Sequence, residues 1–223
     1  MYQTLIDNNL NIFFGGQYKD MPVQIHTEWL IEEYLEATYR TIFNALAEYP
    51  STCIVRVDLK IPKHYRSNSD NVILNFISSL QGQIDADLKH RATVGEPVQS
   101  CKIRYVAARD RDKFLTVQYH LLLFFNLKTY NCIGKREVNI GGNMGERLRI
   151  AWSEALANDL DYVTQANLVS VPKDPVYHIH LVKGHSQPYW SDIKEIFYRF
   201  SHFTTTVGKI FSRGYSPFIY SRD

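Results

Sequence analysis

The stretch TVQYHLLLFFN, residues 116–126, carries a single histidine at the edge of a strongly apolar run. Residues two apart on a strand face the same side, so Gln118 and His120 project together. Asp58 sits in STCIVRVDLKIP, where Arg56, Asp58 and Lys60 alternate with apolar residues. If the two strands are neighbours, imidazole, amide oxygen and carboxylate meet on one sheet face. That donor set suits a divalent cation such as Mg or Mn. The competing reading makes His120 a core histidine with satisfied hydrogen bonds and Gln118 a polar residue at a strand edge.

YHIHLVKG holds a second candidate, His178 and His180, alternating on one short strand. Two imidazoles on one strand face can bind a metal, and they are equally ordinary on a solvated edge. Cations gather in two regions. Arg104, Arg109, Arg111 and Lys113 lie in the first, and Lys209 and Arg213 in the second, among Tyr189, Trp190, Tyr215, Phe218 and Tyr220. Cations interleaved with aromatics suit single-stranded nucleic acid, whose phosphates meet charge while its bases stack. A solvated surface over core aromatics is the alternative.

These residues need elements to hold them. Residues 1–25 contain Gly15, Gly16 and Pro22 and read as an irregular arm. Thr27 can cap a helix running to about Tyr49, with Ile31, Leu35, Ile42 and Leu46 at helical spacing and Pro50 as its stop. Its acids, Glu28, Glu32, Glu33, Glu36 and Glu48, form a solvated face or a surface for another protein.

A β-branched strand follows, then a helix from Asn71, weakened by Gly82. SCKIRYVAAR and FLTVQYHLLLFFN are the next strands, the latter apolar enough for a central position. A helix through MGERLRIAWSEALAND, two short strands, a last helix from about Pro188 and a basic aromatic tail complete the chain. The order after the first helix is β-α-β-β-α-β-β-α, a split βαβ pattern with an added strand. The expected architecture is α+β: an antiparallel, ferredoxin-like sheet of about five strands with helices on one face. Residues 1–50 form an N-terminal arm and helical appendage to a domain spanning 51–223.

The chain has 223 residues, 45% of them hydrophobic, enough for a sizeable core, and its formal net charge of +2 excludes a strongly basic protein. Three cysteines, none at CxxC spacing, argue against a disulfide framework or a zinc knuckle. A reducing, cytoplasmic compartment fits. No signal peptide and no stretch of eighteen apolar residues is present, so no membrane contact is expected.

CIVRVDLKIP, RYVAARD, QYHLLLFFN, GGNMGERLRIAWSEAL, IFYRFSHF and the closing YSRD resemble successive blocks of the inovirus-type YagK/YfjJ C-terminal domain family, found in prophages and mobile elements. The likeness runs from about residue 52 to the end. That family is similar in layout to rolling-circle replication initiators with an HUH motif, two histidines flanking a bulky apolar residue. There the histidines hold a metal on the scissile phosphate, and a helix tyrosine attacks it to give a covalent DNA adduct.

The resemblance places His120 at the second histidine, Tyr119 at the bulky residue and Gln118 at the first histidine. His202 stands at the tyrosine and Thr205 at its accompanying lysine, with Tyr198 one turn earlier as a substitute nucleophile or a buried aromatic. It implies a pseudoenzyme that binds single-stranded or nicked DNA without cleaving it. Two rival expectations are an active metal-dependent nicking endonuclease and a module that binds a host or phage protein.

Overall fold

The computed structural model describes residues 10–24, 29–62, 65, 71–111, 116–130, 144–156, 167–172, 175–180, 190–204 and 217–221. Four short strands open the chain: β1 (Ile12–Phe13), β2 (Gln17–Tyr18), β3 (Met21–Pro22) and β4 (Leu30–Ile31). They are followed by α1 (Glu32–Glu48), β5 (Ser51–Lys60), α2 (Asn71–Thr93), β6 (Arg104–Arg111), β7 (Val117–Asn126) and α3 (Met144–Ala155). The last elements are β8 (Val169–Ser170), β9 (Val176–His180), α4 (Trp190–Ser201), a 3-10 turn (His202–Thr204) and β10 (Phe218–Tyr220). Among the described residues no helix is long and apolar enough to cross a membrane.

The architecture is mixed α+β, built on a six-stranded antiparallel sheet in the order β10-β6-β7-β5-β8, with β9 also pairing β5. β7 lies between β5 and β6, as its apolar run required. β8 and β9 share the far edge of β5, the first opposite Asp58–Leu59 and the second opposite Ser51–Val55. The tail strand β10 extends the other edge, with Phe218 opposite Ala108. Its three residues are too short to announce a strand, and only β6's open edge makes them one.

Helices cover both faces, not one as expected. On one face α2 and α3 bury Val72, Phe76, Leu80, Leu148 and Trp152 against Val55, Val57, Leu121 and Leu123. On the other, α1 and α4 bury Leu35, Ile42, Leu46, Ile196 and Phe197 against Ile54, Val106, Leu122 and Phe124. α1, expected as an appendage, is one of the two helices covering this second face. Strand alternation says that a face is apolar but does not say which helix covers it. The helix also starts later than its sequence suggests. β4 runs directly into it, and Ile31 occupies the cap position without a side-chain hydrogen bond. Thr27 lies outside the described residues. Glu32 and Glu33 in the first turn complement the helix dipole instead.

Candidate functional site

β5 and β7 pair so that Asp58 lies directly opposite His120, Lys60 opposite Gln118 and Arg56 opposite Leu122. Odd-numbered neighbours on both strands, Val57, Leu59, Tyr119 and Leu121, point into the α2–α3 core. Arg56, Asp58, Lys60, Gln118 and His120 therefore share the α1–α4 face, at the end of the sheet where the apolar residues of that face stop.

Asp58 and His120 are bonded directly, with Nδ1 2.7 Å from Asp58 Oδ1. The other ring nitrogen, Nε2, lies 3.2 Å from Gln118 Nε2. In the neutral tautomer protonated at Nδ1, the imidazole donates to the carboxylate and accepts from the amide, so both nitrogens are satisfied. His120 is 7% exposed. Phe203, in the 3-10 turn after α4, stacks on its ring at 4.1 Å and 22°. The guanidinium of Arg56 sits over the same phenyl ring at 4.8 Å. Arg56 Nε is buried and has no hydrogen-bond partner among the described residues.

As arranged, these donors do not make a metal cage. The Asp58 carboxylate holds Nδ1, which is the part a carboxylate plays behind a metal-bound histidine rather than on the metal. What remains is one imidazole nitrogen and one amide. Among the described residues no three His, Cys, Asp or Glu side chains gather as metal ligands. An Asp–His pair can also orient a general base, but here the ring is nearly closed off by Phe203.

The other sequence candidates are dispersed. His202 adjoins the site: its ring is 5.2 Å from that of Phe203, and it is exposed. Tyr198 is 41% exposed, on the outer side of α4, so it is not the buried aromatic its neighbours suggested. His178 and His180 lie opposite Cys53 and Ser51, on the α2–α3 side of the sheet, so they cannot join His120. His180 Nδ1 is 3.1 Å from Ser51 Oγ.

The expected nucleic-acid cations do not form one surface either. Arg104 pairs with Glu48 at 2.8 Å. Arg109 is 6% exposed and opposite Tyr119, away from His120. Arg111 is exposed. Lys113, Lys209, Arg213 and Thr205 lie outside the described residues.

Phe203 is the site residue that the sequence reading missed. Its spacing of three from Phe200 marks a shared helical face, but nothing local ties that face to His120.

A separate cleft of about 700 Å³ lies beside α1, lined by Glu32, Glu33, Glu36, Arg40 and Tyr220 among others. Glu36 is held there by Tyr18 Oη, Lys19 Nζ and Arg40 Nε, each at 2.6 Å. Burial alone would raise its carboxyl pKa; these hydrogen bonds outweigh burial and hold it at about 2. Lys19 and Asp20 turn between β2 and β3 with φ of 48° and 64°, a conformation that side chains resist. The Lys19 bond to Glu36 helps to hold that turn.

The family model for the YagK/YfjJ C-terminal domain matches residues 15–221. The match begins well before residue 52 and takes in α1. A protein of Escherichia coli (strain K12) described as uncharacterized protein YfjJ is 26% identical over 202 residues, covering 85% of this chain and 93% of that protein. No solved structure matches.

Proposed function

Because the chain belongs to the YagK/YfjJ C-terminal domain family, we propose that it is a mobile-element protein that binds single-stranded or nicked DNA through a replication-initiator-like site that no longer cleaves. The observation that carries this reading is the setting of Arg56. Its Nε is a buried donor without a partner among the described residues, on the face that also bears Lys60, Gln118 and His120. The half-buried guanidinium beside Lys60 on this face suits a phosphate oxygen as partner.

The strand order supports the layout. β6-β7-β5 followed by β8 and β9, with α2 and α3 on one face, is the order of a split βαβ sheet. The position expected for the nucleophile, His202, stands beside the ring that covers His120. Loss of cleavage is supported by Gln118 in place of a histidine and by the absence of a tyrosine at 202.

The test is binding of a labelled single-stranded oligonucleotide across a salt series, with a nicking assay in manganese alongside. Salt-sensitive binding without nicking or adduct is expected. Arg56→Ala and Lys60→Ala should each lower the salt slope by about 1. Salt-insensitive or absent binding would sink the reading.

One observation favours an active enzyme instead. The 2.7 Å Asp58–His120 bond is how a carboxylate aligns a catalytic imidazole. A covalent DNA adduct lost in His202→Ala or Tyr198→Phe would establish that alternative.

A further inference from the structure

We infer that Phe14 and Trp29 form a base-stacking platform for single-stranded nucleic acid, continuous with the Arg56–His120 end of the sheet. This rests on the nucleic-acid reading above and adds the residues that would hold the bases. Phe14 is 79% exposed and Trp29 50% exposed. Their rings meet edge-on, with centroids 6.3 Å apart and planes at 64°.

Their backbones are fixed while their rings stand in solvent. β1 and β4 pair with Phe13 opposite Leu30 and Ile12 opposite Ile31. Leu30 and Ile31 are 4% and 0% exposed, in the core under α1, and Phe13 packs against that core. Glu32 N–H donates to Asn11 O at 2.9 Å, and Asn11 donates from its own N–H and amide to Glu33. Gly15 makes room for this inward turn of Phe13, because a Cβ there would lie 2.6 Å from Phe13 Cζ. Phe13 turns in against Tyr18, at 5.4 Å, and Phe14 is left facing out.

The pair lies at the site's end of the molecule. β4, which follows Trp29, packs beside the 3-10 turn His202–Thr204. Phe203 of that turn carries His120 and Arg56 on its ring. Gln24 N–H is tied to Ser201 Oγ at 2.9 Å, fixing the arm to the end of α4. The exposed rings are thus linked through β4 and the 3-10 turn to the Phe203 ring that carries Arg56, and stacking rings with a cation nearby are the combination that binds single strands.

Size argues against a protein partner. Two aromatic side chains offer roughly 300–500 Å², whereas a stable protein interface buries about 1,200–2,000 Å². One or two bases fit the smaller figure.

The test uses the full chain and an oligothymidine of roughly twelve nucleotides, read by anisotropy and by tryptophan fluorescence. Circular dichroism melts confirm that each variant folds. The oligonucleotide should quench the fluorescence of the unaltered protein. Trp29→Phe should keep the affinity within a few-fold and lose the quench. Phe14→Ala and Trp29→Ala should each weaken binding roughly 5- to 150-fold and leave the salt slope unchanged.

If the oligonucleotide binds with full salt dependence and both alanine variants bind equally well, the platform is wrong and the DNA-binding reading stands. If nothing binds, that reading falls and the platform with it. Self-association that disappears in Trp29→Ala would assign the rings to a second copy of the chain and overturn the inference.

Discussion

The two faces of the central sheet are made by the same strands and end differently. On the α2–α3 side, β5 presents Cys53, Val55, Val57 and Leu59 and β7 presents Tyr119, Leu121, Leu123 and Phe125, all buried. On the α1–α4 side the same strands are apolar at Ile54, Leu122 and Phe124, after the buried polar pair Thr52 and Asn126, and then switch to Arg56, Asp58, Lys60, Gln118 and His120. One face is a core along its whole length, while the other is a core for part of its length and a half-buried polar cluster thereafter. A polar residue that points into a sheet face is tolerated where its hydrogen bonds are met. Those of His120 are met within the strands themselves, by Asp58 and Gln118. The polar end is therefore built into the sheet and does not depend on a loop.

The largest effect should come from uncovering the half-apolar face. Deleting residues 1–50 removes α1 and leaves Ile54, Val106, Leu122 and Phe124 without that cover. We expect the remainder to lose cooperative unfolding, measured by urea titration. A sharp transition in the remainder would show that α1 is dispensable to this core.

Asp58→Ala should cost about 1–3 kcal/mol, because it leaves a buried Nδ1–H unsatisfied. Asp58→Leu with His120→Phe should cost less than about 1 kcal/mol, since neither polar partner remains. A double variant as unstable as the single one would mean that the pair is structural cement rather than a retained site.

A smaller effect separates α1's outer side from both faces. The Glu36 pKa is about 2 in the fold against an ordinary 4.5. Its contribution to stability is complete above about pH 5 and is lost as the pH falls through about 2. Glu36→Gln should lower the melting temperature at pH 7 and approach the parent below pH 3. A constant difference across that range would contradict the hydrogen-bond cause.

Tyr198→Phe should change stability by less than about 0.5 kcal/mol, because the side chain is 41% exposed. A larger loss would move Tyr198 inward.

Part of this was legible from residue order. The alternation of Arg56, Asp58 and Lys60 marks one polar strand face, and the run from Leu121 to Phe125 marks a central strand. Two such strands from a split βαβ pattern have few ways to pair, so Asp58 and His120 could be placed together. The covering elements were not legible. Whether α1 lies beside α2 or across the sheet from it depends on which apolar stripe meets which face, and stripes of Leu and Ile are interchangeable. Phe203 and β10 belong to short segments whose position is set by distant partners. Arg109 looked like a surface cation because its charge is visible in sequence while its inward-pointing register opposite Tyr119 is not.

The most direct test is to map backbone amide NMR shifts while a single-stranded oligonucleotide is added. Shifts should concentrate at Arg56–Lys60, Gln118–His120, His202–Phe203 and Trp29, and leave α2 and α3 unmoved. Shifts confined to the α2–α3 side, or none at saturating oligonucleotide, would contradict the assignment of function to the polar end of the sheet.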